Sequence, residues 1–179
     1  FDLSAFYCRR MDRVREAFSL TPDYLVSPET ESVRNLMDTG VQLGRRFRAL
    51  KLWMVLRHFG AEGIRRRLAE HLRLAKLFAD WIDTSDTFER LAPVPFSVVC
   101  FRACPETVNG DPAKLDDLNE RLLDAINATG DVFLSHTKLN GQFVLRLAIG
   151  HIRTTERHVA RAWELLQTLL ADLSRRPGQ

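Results

Sequence analysis

Two side chains in this sequence stand where simple packing does not account for them. Tyr24 lies in Thr21-Pro22-Asp23-Tyr24-Leu25, inside a stretch without apolar periodicity. A phenol hydroxyl can give or take a proton, and a mobile segment can carry it into a site and exclude water. The plainer reading is an aromatic anchor that tacks a loop to the surface. Arg146 interrupts the apolar run Phe143-Val144-Leu145-Arg146-Leu147-Ala148-Ile149. A guanidinium there is costly unless paired, and its planar fork suits a carboxylate. Strand alternation puts it on the face of Val144 and Ala148, opposite Phe143, Leu145, Leu147 and Ile149. The plainer readings are a solvated face or an internal ion pair.

Other chemistries find no complete set of residues. Cys100 and Cys104 form a Cys-x₃-Cys pair, but zinc needs about four ligands and no second pair exists. His58, His71, His136, His151 and His158 are scattered, and structural or solvated roles suit them. There is no Gly-x-Gly-x-x-Gly, P-loop or Gly-x-Ser-x-Gly, and no nucleophile–base pair can be picked out. An odd set of three cysteines argues against a secreted disulfide framework and for a reducing, cytoplasmic setting. The longest unbroken apolar run, residues 52–56, is far short of the ~20 needed to cross a bilayer, so no membrane span is expected. The chain opens Phe1-Asp2-Leu3 without a Met, as though cut from something longer.

The elements that must position these residues follow from period and punctuation. With 45% apolar and 27% charged residues, the 179-residue chain can bury a core. Residues 1–8 read as a buried strand and 10–18 as a short helix, followed by a loop over 19–38, longer than the ~12–15 residues that compact domains usually leave without structure. From Arg46, the spacing of Phe47, Leu50, Met54 and Val55 predicts a helix that stops at Gly60. A second helix over 61–82 carries Ile64, Leu68, Leu72, Ala75, Ala79 and Ile82 as one stripe. Residues 88–91 and 96–102 read as strands broken at Pro93 and Pro95. Asp111-Pro112 opens a helix with Leu115, Leu118, Leu122 and Ile126 inward. Strands over 132–139 and 142–149 meet at Asn140-Gly141, a strong hairpin signal. Thr154 is the expected cap of a last helix to about 173, and the tail Pro177-Gly178-Gln179 is expected to lack order. The second part thus reads α-β-β-α-β-β-α, an antiparallel four-stranded sheet with helices on one face.

The formal net charge of +3 conceals a cluster: residues 45–73 hold nine basic side chains against Glu62 and Glu70. Nucleic acid, phosphate groups or a solvated helix face would each account for it.

The run Gly44-Arg45-Arg46-Phe47-Arg48-Ala49-Leu50-Lys51-Leu52-Trp53 closely resembles a segment of the group II pyridoxal-phosphate (PLP) decarboxylases, the aromatic-L-amino-acid decarboxylase-like family. Phe1-Asp2-Leu3-Ser4-Ala5-Phe6-Tyr7 resembles the strand after that family's cofactor lysine. Residues 143–150, then Thr154-Thr155-Glu156 and Ala162-Trp163-Glu164, resemble its C-terminus. The resemblance covers nearly the whole chain. It implies the C-terminal portion of a fold-type I enzyme, α/β with an α+β small domain. Residues 1–50 would be the end of the PLP-binding large domain, including the catalytic lid loop 19–38, and 51–179 the small C-terminal domain.

The resemblance also implies roles. PLP would act as the electron sink for loss of CO₂. Tyr24 would be the acid that reprotonates Cα of the carbanionic intermediate, delivered by a closing lid, with amine rather than aldehyde as product. Gly44 and Leu43 would lie near the cofactor phosphate across a homodimer interface, and Arg146 would face the substrate carboxylate or support it. The family holds PLP on a lysine preceded by His. Here the four lysines follow Leu50, Ala75, Ala113 and Thr137, so an upstream segment would supply that lysine. The expected partners are that segment, a second copy and an amino-acid substrate, with the basic cluster an interface or solvated feature and no nucleic acid. A non-catalytic dimerisation or regulatory module derived from the same fold is the alternative.

Overall fold

The computed structural model describes residues 4–19, 36–42, 46–108 and 110–175. The chain divides into two compact units, Phe1–Ala61 and Glu62–Gln179. Its elements are α1 (Met11–Phe18), a 3₁₀ turn (Leu36–Thr39), α2 (Arg48–Asp83), β1 (Phe88–Arg90), β2 (Val98–Ala103), α3 (Pro112–Ala128), β3 (Ser135–Leu139), β4 (Gln142–Ala148) and α4 (Glu156–Arg175).

In the first unit, α1 buries no residue, and its exposed Arg13–Glu16 pair at 2.8 Å is the type worth little in water. The strand expected over 1–8 is not found in its described part. Residues 4–8 have no regular structure, and Phe6 and Tyr7 are exposed. A strand needs a neighbour for its amides, and every described strand belongs to the sheet of the second unit. Most of the loop over 19–38 lies outside the described residues, as does the tail 177–179; residues 36–38 are in the 3₁₀ turn. The helix predicted from Arg46 forms, but Phe47, Leu50 and Met54 are exposed instead of facing a core.

α2 runs on through Gly60, whose φ of 66° and ψ of 171° separate two helical stretches at the predicted stop. A positive φ costs glycine little, because it has no Cβ to clash. The stripe after Gly60 is buried only at its far end. Ile64 is half-buried and Leu68 and Leu72 are exposed, whereas Leu74, Ala75, Phe78, Ala79 and Ile82 enter the core. Burial thus begins near Leu74, and from there the buried face widens to include Leu74 and Phe78.

The four strands form one antiparallel sheet in the order β1-β2-β4-β3. The helices line one face, as expected. Phe101, Val99, Leu145 and Leu147 point into the same core as Phe78, Leu122, Ile126 and Leu166. Trp163 of α4 packs edge-on to Phe78, with ring centroids 5.8 Å apart, and lies 5.2 Å from Phe88. Asn140 and Gly141 have φ of 51° and 81°, the pair of positive angles that a type I′ hairpin turn demands.

α3 does more than cover the sheet. By the β2–β4 register, Ala103 would face Phe143, but pairing ends at Phe101–Leu145. Beyond that point α3 takes over the strand amides. Asp116 accepts from the Phe143 N–H at 2.9 Å, and fully buried Asn119 accepts from the Ala103 N–H at 2.7 Å. Asn119 also donates to the Ala103 and Leu115 carbonyls, each at 2.8 Å. Asn127 treats Leu134 the same way, accepting from its N–H at 2.8 Å and donating to its carbonyl at 3.0 Å. That explains why β3 starts at Ser135 and not at 132: the backbone of Leu134 is already engaged.

The cap of α4 is displaced by one residue from expectation. Thr155, not Thr154, precedes the helix, and the His158 ring Nδ1 accepts from the Thr155 N–H at 3.0 Å while lying 2.9 Å from its hydroxyl. This is a capping box with His in the place of the usual Glu or Gln. His158→Ala should therefore cost about 0.5–2 kcal/mol in urea unfolding, and His158→Gln should restore most of it. Equal stability of the Ala variant and the unaltered chain would refute the cap.

Candidate functional site

Tyr24, Leu43 and Gly44 lie outside the described residues. Arg146 is in the middle of β4 and on the sheet face away from the helices, as alternation requires. Cys100 of β2 pairs with it on one side and Ser135 of β3 on the other, so the three form one row across the sheet. Its Nη1 lies 3.5 Å from the Ser135 hydroxyl, at the outer limit for a hydrogen bond. It is half-buried, and no carboxylate holds it among the described residues. Neither plain reading fits: the guanidinium is not fully solvated and makes no ion pair there.

Two residues along β2 from Cys100, Arg102 lies on the same face, its side chain only 12% exposed. Its Nε donates to Glu89 of β1, directly across the sheet, while its Nη1 is buried without a partner among the described residues. An unpaired buried donor on a charged group is expensive, so this guanidinium marks a place where the free chain is under-satisfied. Sequence reasoning passed over Arg102, although it carries the same signal as Arg146: an arginine inside an apolar strand. Cys104 follows on this face, and burial pushes its thiol pKa up, as does the Glu89 charge, with Arg102 opposing. It is thereby held as the neutral thiol. Cys100 and Cys104 are separated by about 13 Å of extended chain, so they cannot form a disulfide, and all three cysteines are free.

The histidines have structural neighbours. His136 stacks on Phe143 with centroids 4.8 Å apart, His58 meets Phe59 edge-on, and His151 accepts from the Arg153 N–H at 3.1 Å. Among the described residues no three His, Cys, Asp or Glu groups gather as a metal site, and no helix is long and apolar enough to cross a membrane. The basic cluster lies along α2, where Arg65 faces Glu62 and Arg73 binds Glu70 and Glu156 at 2.8 and 2.9 Å. In the first unit an open apolar groove is lined by Phe47, Ala49, Leu50 and Trp53.

A helix-backed antiparallel sheet with an arginine on its bare face defines a small α+β domain of the kind found as part of larger enzymes. The conserved-domain model of the pyridoxal-dependent decarboxylases matches residues 1–104, and the chain belongs to that family. It is 44% identical over 155 residues to tyrosine decarboxylase 2 of Arabidopsis thaliana, covering 85% of this chain and 28% of that protein. Phenylacetaldehyde synthase of the same plant is 40% identical, with 93% and 34% covered. Among solved structures, the Oryza sativa TDC with PLP and tryptamine superposes with a TM-score of 0.83 at 34% identity, over 91% of this chain and 34% of that one. The chain thus spans about a third of the length of the curated relatives it matches.

The described residues do not make a PLP pocket by themselves. Lys51, Lys76, Lys114 and Lys138 are all exposed, and Lys114 is engaged with Asp111 at 3.1 Å. None is preceded by His.

Proposed function

We propose that this chain is the C-terminal portion of a PLP-dependent decarboxylase that converts an aromatic L-amino acid to its amine and CO₂. The observation that carries the reading is the superposition on a decarboxylase solved with PLP and tryptamine, over nearly the whole chain. PLP, when bound, supplies the electron sink, and a lysine outside this chain holds it. Residues 1–50 are the end of the large domain and 51–179 the small one. Tyr24, carried on the loop 19–38, gives a proton to the substrate Cα. Because the residue is Tyr, the product is the amine and not an aldehyde of the sort named for the Arabidopsis synthase. Gly44 and Leu43 approach the cofactor phosphate in a homodimer, and Arg146 faces the substrate carboxylate. The apolar groove around Phe47 and Trp53 supports the dimer, since exposed apolar surface of this kind favours a protein neighbour. Three free thiols suit a cytoplasmic setting.

The test is the complete product of the gene, loaded with PLP and supplied with L-tyrosine, L-tryptophan or L-phenylalanine. Stoichiometric amine and CO₂ are expected. A locus that encodes no His-Lys segment, with no second chain to supply one, would leave only the non-catalytic module.

A further inference from the structure

The bare face of the sheet carries more than its arginines. Leu134 turns into the core, with 1% of its surface exposed, and its backbone is fixed from both sides by Asn127. Its predecessor Phe133 therefore points the other way, and 83% of it is open to solvent. Two residues later in the chain comes Ser135, which pairs with Arg146. Extending that register by two residues sets Phe133 level with Ala148, which Val98 flanks on its other side. An apolar row Val98–Ala148–Phe133 thus adjoins the row Cys100–Arg146–Ser135. Successive rows on one face are about 7 Å apart, within reach of a single small molecule.

The two rows complement each other chemically. Arg146 offers an unneutralised fork, and Phe133 offers an open ring beside a side chain as short as Ala148. A ligand with a carboxylate and an aromatic ring a few bonds apart satisfies both. We propose that Phe133 is a specificity-determining residue, packing against the ring of an aromatic amino acid whose carboxylate Arg146 holds. This rests on the reading of Arg146 as facing substrate. Phe96, also exposed, is the natural control: it precedes β2 and is separated from Arg146 by a further strand position.

Ligand-observed NMR on the 179-residue chain, at fixed ionic strength, gives the dissociation constants of L-phenylalanine and of acetate. Phe133→Ala should weaken L-phenylalanine by about tenfold, the size of one aromatic contact, and leave acetate unchanged. Phe96→Ala should alter neither, whereas Arg146→Gln should weaken both. The acetate value also reports that the Phe133 variant keeps its fold. If Arg146→Gln weakens both ligands but Phe133→Ala spares L-phenylalanine, the inference about Phe133 is wrong and the role of Arg146 stands. If Arg146→Gln changes nothing, or the unaltered chain binds no L-phenylalanine, the proposal is overturned at its foundation.

Discussion

Asn119→Leu is expected to lower the unfolding free energy by about 3–5 kcal/mol, since each buried polar group left unpaired costs about 1–3 kcal/mol. Leucine has nearly the volume of asparagine, so little cavity is created and the loss reports hydrogen bonding. The side chain removed serves three backbone groups: the N–H and carbonyl of Ala103 and the carbonyl of Leu115. Water cannot replace it, because Asn119 and Ala103 are both fully buried. Against a typical total stability of about 5–15 kcal/mol, such a loss is a large fraction. Asn127→Leu should cost less, because its bonds to Leu134 are only partly buried. Urea denaturation followed by tryptophan fluorescence reads both, since Trp163 packs in the same core. A change for Asn119→Leu below that for Asn127→Leu would refute the role given to α3.

The contrast between these residues and the rest of the core marks what pattern alone conveys. Leu115, Leu118, Leu122 and Ile126 announce the inner face of α3 by their spacing, and all four are buried. Asn119 sits among them with a polar side chain that reads as solvent-facing. Its burial follows from the place where β2 and β4 part, a tertiary event with no local signature. The Asn140-Gly141 turn is legible for the opposite reason, since its constraint is wholly local. Residues 4–8 and the start of α2 fail in a third way. Apolar composition there says that a cover is needed, but not that the chain itself supplies it, and Phe6, Phe47 and Trp53 are exposed. On the bare face, Arg146 is legible because alternation fixes its side. The buried Arg102–Glu89 pair needs the β1–β2 register before the two can be seen to meet.

Tyr24→Phe, made in the PLP-loaded longer protein, is expected to cut amine formation by about 10²–10⁴-fold, the usual worth of a positioned general acid. That corresponds to about 3–5 kcal/mol of barrier. The substitution keeps the ring and its volume and removes only the transferable proton. The Michaelis constant and PLP content should therefore stay near their original values, because the lost interaction belongs to the proton-transfer step. The competing role, an aromatic anchor for the loop, predicts the reverse pattern. An anchor works through its ring, so Phe would serve as well as Tyr and turnover would hardly change. Tyr24→Ala separates the two further. Under the anchor reading Ala alone is harmful, while under the acid reading Phe and Ala lose turnover alike and only Ala disturbs binding as well. Single-turnover measurements of CO₂ and amine on both variants decide between them, and a Phe variant within about twofold of the original rate would remove Tyr24 from the reaction.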